Sequence, residues 1–193
     1  MSRGKGLLLI LAGILLLLTA IGGRGGRGGI WRRMLGPLST LIGAVEWMRM
    51  DQSLREGESA RAYRHAEDAL LWLDRDSGVW IFYAHSLLFH EARSTRTLTP
   101  MEREAYCRAG LEVLERAQAV LPDPGEAALY EGAVWAGWAE LPEELRPLPA
   151  SSAGAWQAAA RCFARAEAAG HPQAAGLRQA AEEHFSHADG GGR

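Results

Sequence analysis

His184 and His187 stand three residues apart with Glu183 beside them, a spacing that puts two imidazoles on one helical face where they could share a divalent metal. No cysteine and no second carboxylate cluster accompanies them, and they sit near a glycine-rich end, so no metal is expected there. His85, His90 and Glu91 form a second local cluster, in which His85 is expected to line a groove and His90 to end a helix. Cys107 and Cys162 each lie within an apolar or small-residue helical face and are expected as buried free thiols; a disulfide between them is conceivable only if the domain is exported. No glycine-rich phosphate loop, nucleophile elbow or paired-carboxylate motif occurs. Catalysis has no residue to rest on, so the expectation is a non-enzyme without a cofactor.

The elements that hold these residues are helical by composition. Ala, Leu, Glu and Arg dominate the 193 residues, Val and Ile are sparse, and only Gly and Pro punctuate, which favours an all-α fold. A hydrophobic share of 48% is enough to bury a core. The net charge of -2 conceals a division. Met1 to Leu35 carries Arg3, Lys5, Arg24, Arg27, Arg32 and Arg33 with no acid, which leaves 15 basic against 23 acidic residues in the remainder. An acidic body is a poor nucleic-acid binder, so none is expected as a partner.

Ala62 to Leu87 organises the chain. Ala62, Ala66, Ala69 and Leu70 recur at helical spacing, Asp74 to Gly78 break the pattern, and Trp80, Tyr83, Ala84 and Leu87 restart it. The small-x3-large-x2-small pattern before the turn and the aromatic-x2-Leu-small-x2-Tyr pattern after it are the marks of a helical repeat. Here Ala66 is smaller than the usual aromatic, and Asp74 stands where a turn proline is usual. Gly110, Leu114 and Ala117 repeat the first pattern before the turn Leu121 to Gly125, with Gly132 at the small position that follows. Ala159, Phe163 and Ala166 repeat it again and end in Gly170, His171 and Pro172. From about Gly43 to Phe185 the chain resembles the tetratricopeptide (TPR) repeat family, whose period of about 34 residues is kept in the first unit and stretched by loops in the others. The resemblance implies a short α-solenoid of about three TPR-like helix pairs over residues 37–186. Gln173 to Phe185 serves as a capping helix, and 187–193 forms a disordered tail.

Leu7 to Ile21 contains no charge and is almost entirely aliphatic. With Gly6, Gly22 and Gly23 it would span about 27 Å at about 1.5 Å per residue, against a hydrocarbon core of about 30 Å. Residues 1–23 therefore read as a single transmembrane anchor; the alternative is a cleaved signal sequence ending at the Ala20-x-Gly22 pair. No lipobox cysteine follows, which disfavours a bacterial lipoprotein. Arg24, Arg27, Arg32 and Arg33 tip the charge count toward a cytoplasmic body, whereas a short basic N-terminal tail is usual for an exported one, and both topologies stay open. Residues 24–36 form a basic, glycine-rich tether in which arginine can meet anionic lipid. From Ile30 the pattern changes, and Trp31, Met34, Leu35, Leu38, Leu41, Ile42, Val45 and Met48 share one helical face, which continues to Arg55 and stops at Gly57. Its face reads as the first helix of the repeat body or as a helix lying on the bilayer.

Two longer connections interrupt the repeats. After a helix from Val79 to Ala92, Thr99 can cap, Pro100 can take the first position and Glu102 can sit in the first turn. After a helix from Glu126 to Trp138, Pro142, Pro147 and Pro149 forbid a continuous helix. In the TPR register the resemblance implies a concave face presenting Trp47, Met48, Asp51, Ile81, Phe82, His85, Leu88, Leu129 and Tyr130. Such a groove is apolar and aromatic, suited to a helix or an extended peptide, and it lacks the Lys, Arg and Asn with which chaperone-binding members of the family hold a peptide C-terminus. It stands open or is filled by the chain's own terminal helix. The expectation is a membrane-anchored, single-pass scaffold or adaptor with a protein partner, the alternative being a structural subunit of a membrane complex.

Overall fold

The computed structural model describes residues 37–91 and 98–190. Among them every element is helical, and no helix is long and apolar enough to cross a membrane. In chain order the helices are α1 (Pro37–Arg55), α2 (Ser59–Leu73), α3 (Ser77–His85), which runs on as a π-helix (Ser86–Glu91), α4 (Pro100–Val120), α5 (Gly125–Ala139), a 3₁₀ turn (Glu143–Leu145), α6 (Ser152–Ala168) and α7 (Ala174–Gly190). The segment Leu7 to Ile21, the tether 24–36 and the last three residues lie outside the described residues. The helices divide into two compact units, parted in the chain between Leu73 and Asp74.

The first unit is α1 packed on α2. Gly57 ends α1 with φ +77, a left-handed conformation that costs glycine nothing, and Glu58 N–H closes the helix end on Ser53 O at 2.9 Å. Gly43 lets the two helices approach: a Cβ there would lie 2.5 Å from Leu73 Cγ. Ala62, Ala66 and Ala69 are fully buried.

The second unit starts with a locked turn. Trp80 Nε1 donates to Asp74 O at 2.8 Å, and the Asp76 carboxylate caps α3 by accepting from Gly78 N–H. The π-helix beginning at Ser86 widens the turn, and Leu88 comes to rest against α4, where a Cβ on Gly110 would meet Leu88 Cγ at 2.6 Å and Ala84 O at 3.2 Å. Thr99 and Glu102 form a capping box at the start of α4, with Pro100 at its first position. Two hydrogen bonds from Thr99, first from its backbone N–H and then from its hydroxyl, hold the Glu102 carboxyl below its ordinary pKa. Across the Leu121 to Gly125 turn, α5 packs on α6, and Phe163 fills the space opposite Gly132, whose missing Cβ would lie 2.6 Å from the ring. Phe163 joins Ala139, Ala155, Trp156, Ala159 and Ala181 in the core. Burying such a ring contributes about 1.5–3 kcal/mol.

The three-proline connection between α5 and α6 is ordered rather than loose. Arg146 Nε donates to Leu141 O and its terminal nitrogen to Ala150 O, both at 3.0 Å, while Ser152 Oγ donates to Ala139 O at 2.8 Å. Gly170 ends α6 at φ +86, with His171 N–H bonded to Ala166 O and Pro172 beyond. The terminal helix then packs on α6 and runs to Gly190, so His187 to Gly190 are helical and not a disordered tail. Past Phe185, Ser186 Oγ donates to Glu182 O and His187 Nδ1 bonds to Glu183 O, each one turn back.

Candidate functional site

The expected groove residues separate by unit. In the first, Met48 is exposed, Trp47 is half-buried, and Asp51 is exposed and ion-paired with Arg55 at 2.7 Å. In the second, His85 from α3 and Tyr130 from α5 share a hydrogen bond of 2.6 Å. Phe89 stands one turn beyond His85, its ring centroid 4.9 Å from the imidazole. Phe82 is 48% exposed, and Ile81 and Leu129 are half-buried, Leu129 leaning on the core around Ala128 and Ala166. Leu88 does not belong to this surface: it is 2% exposed and seated over Gly110. The terminal helix packs on α6, where His184 stacks on Trp156, and so takes its place in the α6 core rather than over the His85–Tyr130 pair.

Burial raises the Tyr130 phenol to about 12, so near neutrality it is an uncharged hydroxyl that can give or take one hydrogen bond. His85, Tyr130, Phe82 and Phe89 thus make an amphipathic surface with two polar tips among aromatic rings.

A second cleft of about 530 Å³ opens between α4, α5 and α6. Glu131 of α5 lines it, a carboxylate that is 5% exposed and held by Gln118 Nε2 at 2.7 Å and Arg165 at 2.9 Å. Burial is the largest single influence on Arg165 and works against its charge, but Glu131 and Cys162 together outweigh it and the guanidinium pKa is raised. The same guanidinium donates to Cys162 Sγ at 3.0 Å. Burial, with Glu131 adding to it and Arg165 opposing, pushes the Cys162 thiol up to about 12, and burial takes Cys107 to about 11 against the pull of Arg103. Both cysteines are free and buried, protonated at neutral pH and unsuited to nucleophilic work.

The His184 and His187 pair does not converge on a metal. His184 lies against Trp156, and His187 Nδ1 is taken by Glu183 O. In the first unit, Glu46 from α1 and His65 and Asp68 from α2 bring their ligand atoms within 4.8 Å of one another. Sequence spacing alone does not reveal that trio, because Glu46 and His65 are 19 residues apart and meet only through the packing of α1 on α2.

No protein-family model matches the chain, and neither a curated protein nor a solved structure matches it.

Proposed function

We propose that this protein is a membrane-anchored scaffold of TPR-like helix pairs, a short α-solenoid whose helix faces bind a protein partner close to the bilayer. The observation that carries this reading is the surface shared by α3 and α5, where the hydrogen-bonded His85 and Tyr130 stand among Phe82 and Phe89. Rigid aromatic groups with polar tips on regular helices are the features by which grooves hold a helix or an extended peptide. Proximity to the bilayer rests on the aliphatic segment Leu7 to Ile21, the arginines after it, and Leu38, Leu41 and Met48 of α1, all more than half exposed along one side of that helix.

The test is crosslinking and co-purification of the full chain from detergent-solubilised membranes. Phe82→Asp and Tyr130→Ala should lose a discrete partner that the wild type and an exposed-site control, Met101→Asp, retain. A chain recovered alone and monomeric, or a partner indifferent to both substitutions, overturns the reading. An obligate structural subunit would instead aggregate when released from its complex.

A further inference from the structure

We propose that Glu46, His65 and Asp68 form a binding site for a divalent first-row transition metal of the zinc type. His65 and Asp68 lie one turn apart on α2, so both side chains leave the same face, and Glu46 reaches them from α1. Their three ligand atoms lie within 4.8 Å of one another. In a four-coordinate site with metal–ligand distances of about 2.0–2.2 Å, ligand atoms stand roughly 3.5 Å apart. Side-chain rotation alone closes that gap, since Asp68 is exposed and Glu46 has three torsions.

Three features favour an ion over an ordinary histidine–carboxylate hydrogen bond. His65 Nδ1 already contacts Glu46 Oε2 at 2.7 Å, and that contact needs one carboxylate only. Asp68 nevertheless stands in the same cluster and makes no hydrogen bond or ion pair among the described residues, which leaves a second negative charge beside the first. Arg49 holds the other oxygen of Glu46 at 2.6 Å, which fixes the carboxylate and leaves Oε2 directed at His65, as partners behind metal ligands do. A cavity of about 430 Å³ opens beside His65, lined by that residue and by Arg49, Gln52, Ser53, Glu56 and Arg61. One imidazole and two carboxylates suit zinc, cobalt or nickel better than calcium or magnesium, which favour oxygen alone.

The cation takes the place of the hydrogen between Glu46 Oε2 and His65 Nδ1: the Nδ1 proton moves to Nε2, or to solvent if Nε2 already carries one, and a neutral imidazole and two carboxylates then ligate through Nδ1 and one oxygen each. The probe is Zn²⁺ titrated calorimetrically into the purified, chelator-treated full chain, with Co²⁺ absorption reporting coordination. One equivalent should bind, and Asp68→Asn and His65→Ala should each weaken it by about tenfold or more, whereas His184→Ala together with His187→Ala should leave it unchanged. Asp68 is exposed, so Asp68→Asn should keep the wild-type circular dichroism and isolates ligation from folding. No binding at 100-fold molar excess, binding unmoved by Asp68→Asn, or equal displacement by Mg²⁺ would each overturn the site.

Discussion

The His184 imidazole lies flat on the Trp156 indole, ring centroids 4.4 Å apart and planes 11° from parallel. Trp156 is a core residue of α6, so this stack is one of the contacts that seat α7. Removing it with His184→Ala should cost about 0.5–1.5 kcal/mol in urea unfolding, while His187→Ala, one turn further out, should cost almost nothing. Equal effects of the two substitutions would remove the stack from the account of how α7 is held.

Gly132 and Gly137 lie on the same helix and should respond oppositely to alanine. A Cβ at position 132 would stand 2.6 Å from the Phe163 ring, whereas at position 137 nothing lies within 4 Å. Gly132→Ala should destabilise by about 1–3 kcal/mol through overpacking, and Gly137→Ala should stabilise by up to about 1 kcal/mol through helix propensity. Thermal melts of the two variants read the difference in sign.

Phe163→Ala tests the other side of the same contact. The ring is 3% exposed, and its loss should leave a cavity costing about 3–5 kcal/mol. A melting temperature unchanged by this substitution would mean that α5 and α6 do not pack through position 163.

The two thiols predict a pH dependence. Folding raises Cys107 and Cys162 above the ordinary thiol value of 9.0, to about 11 and about 12, mainly by burial. Both groups are neutral below pH 9 in either state, so their contribution to stability is fully present there. It declines as pH rises from about 9 through 12, because the unfolded chain then releases protons that the folded chain keeps. Native protein at pH 8 should therefore resist a thiol reagent until urea unfolds it, after which two thiols react.

Much of the fold is legible locally. Gly57 and Gly170 end helices, Thr99 and Glu102 open one, and the triplets Gly110, Leu114, Ala117 and Ala159, Phe163, Ala166 are buried as their spacing predicts. These features depend on residues within a turn or two of each other. A further regularity lies in the sequence: Ala69 to Ala84, Ala117 to Gly132 and Ala166 to Ala181 are each 15 residues apart, and all six positions are buried. Sites that need two helices to meet were not legible. Glu131 is charged on an apolar face and finds Arg165 34 residues later, and Glu46 finds His65 only through packing. Leu88 reads as a groove residue in an ideal α-helix, but it follows the start of the π-helix at Ser86 and is buried against Gly110.

The Arg146 clasp changes what the α5 to α6 connection can transmit. With one guanidinium joined to Leu141 O and Ala150 O, and Ser152 tied to Ala139 O, the proline-containing segment is cross-braced at both ends. Such a corner has no free pivot. α5 and α6 are thus joined at this corner by side-chain bonds as well as by their packed faces, and changing the angle between them has to break both.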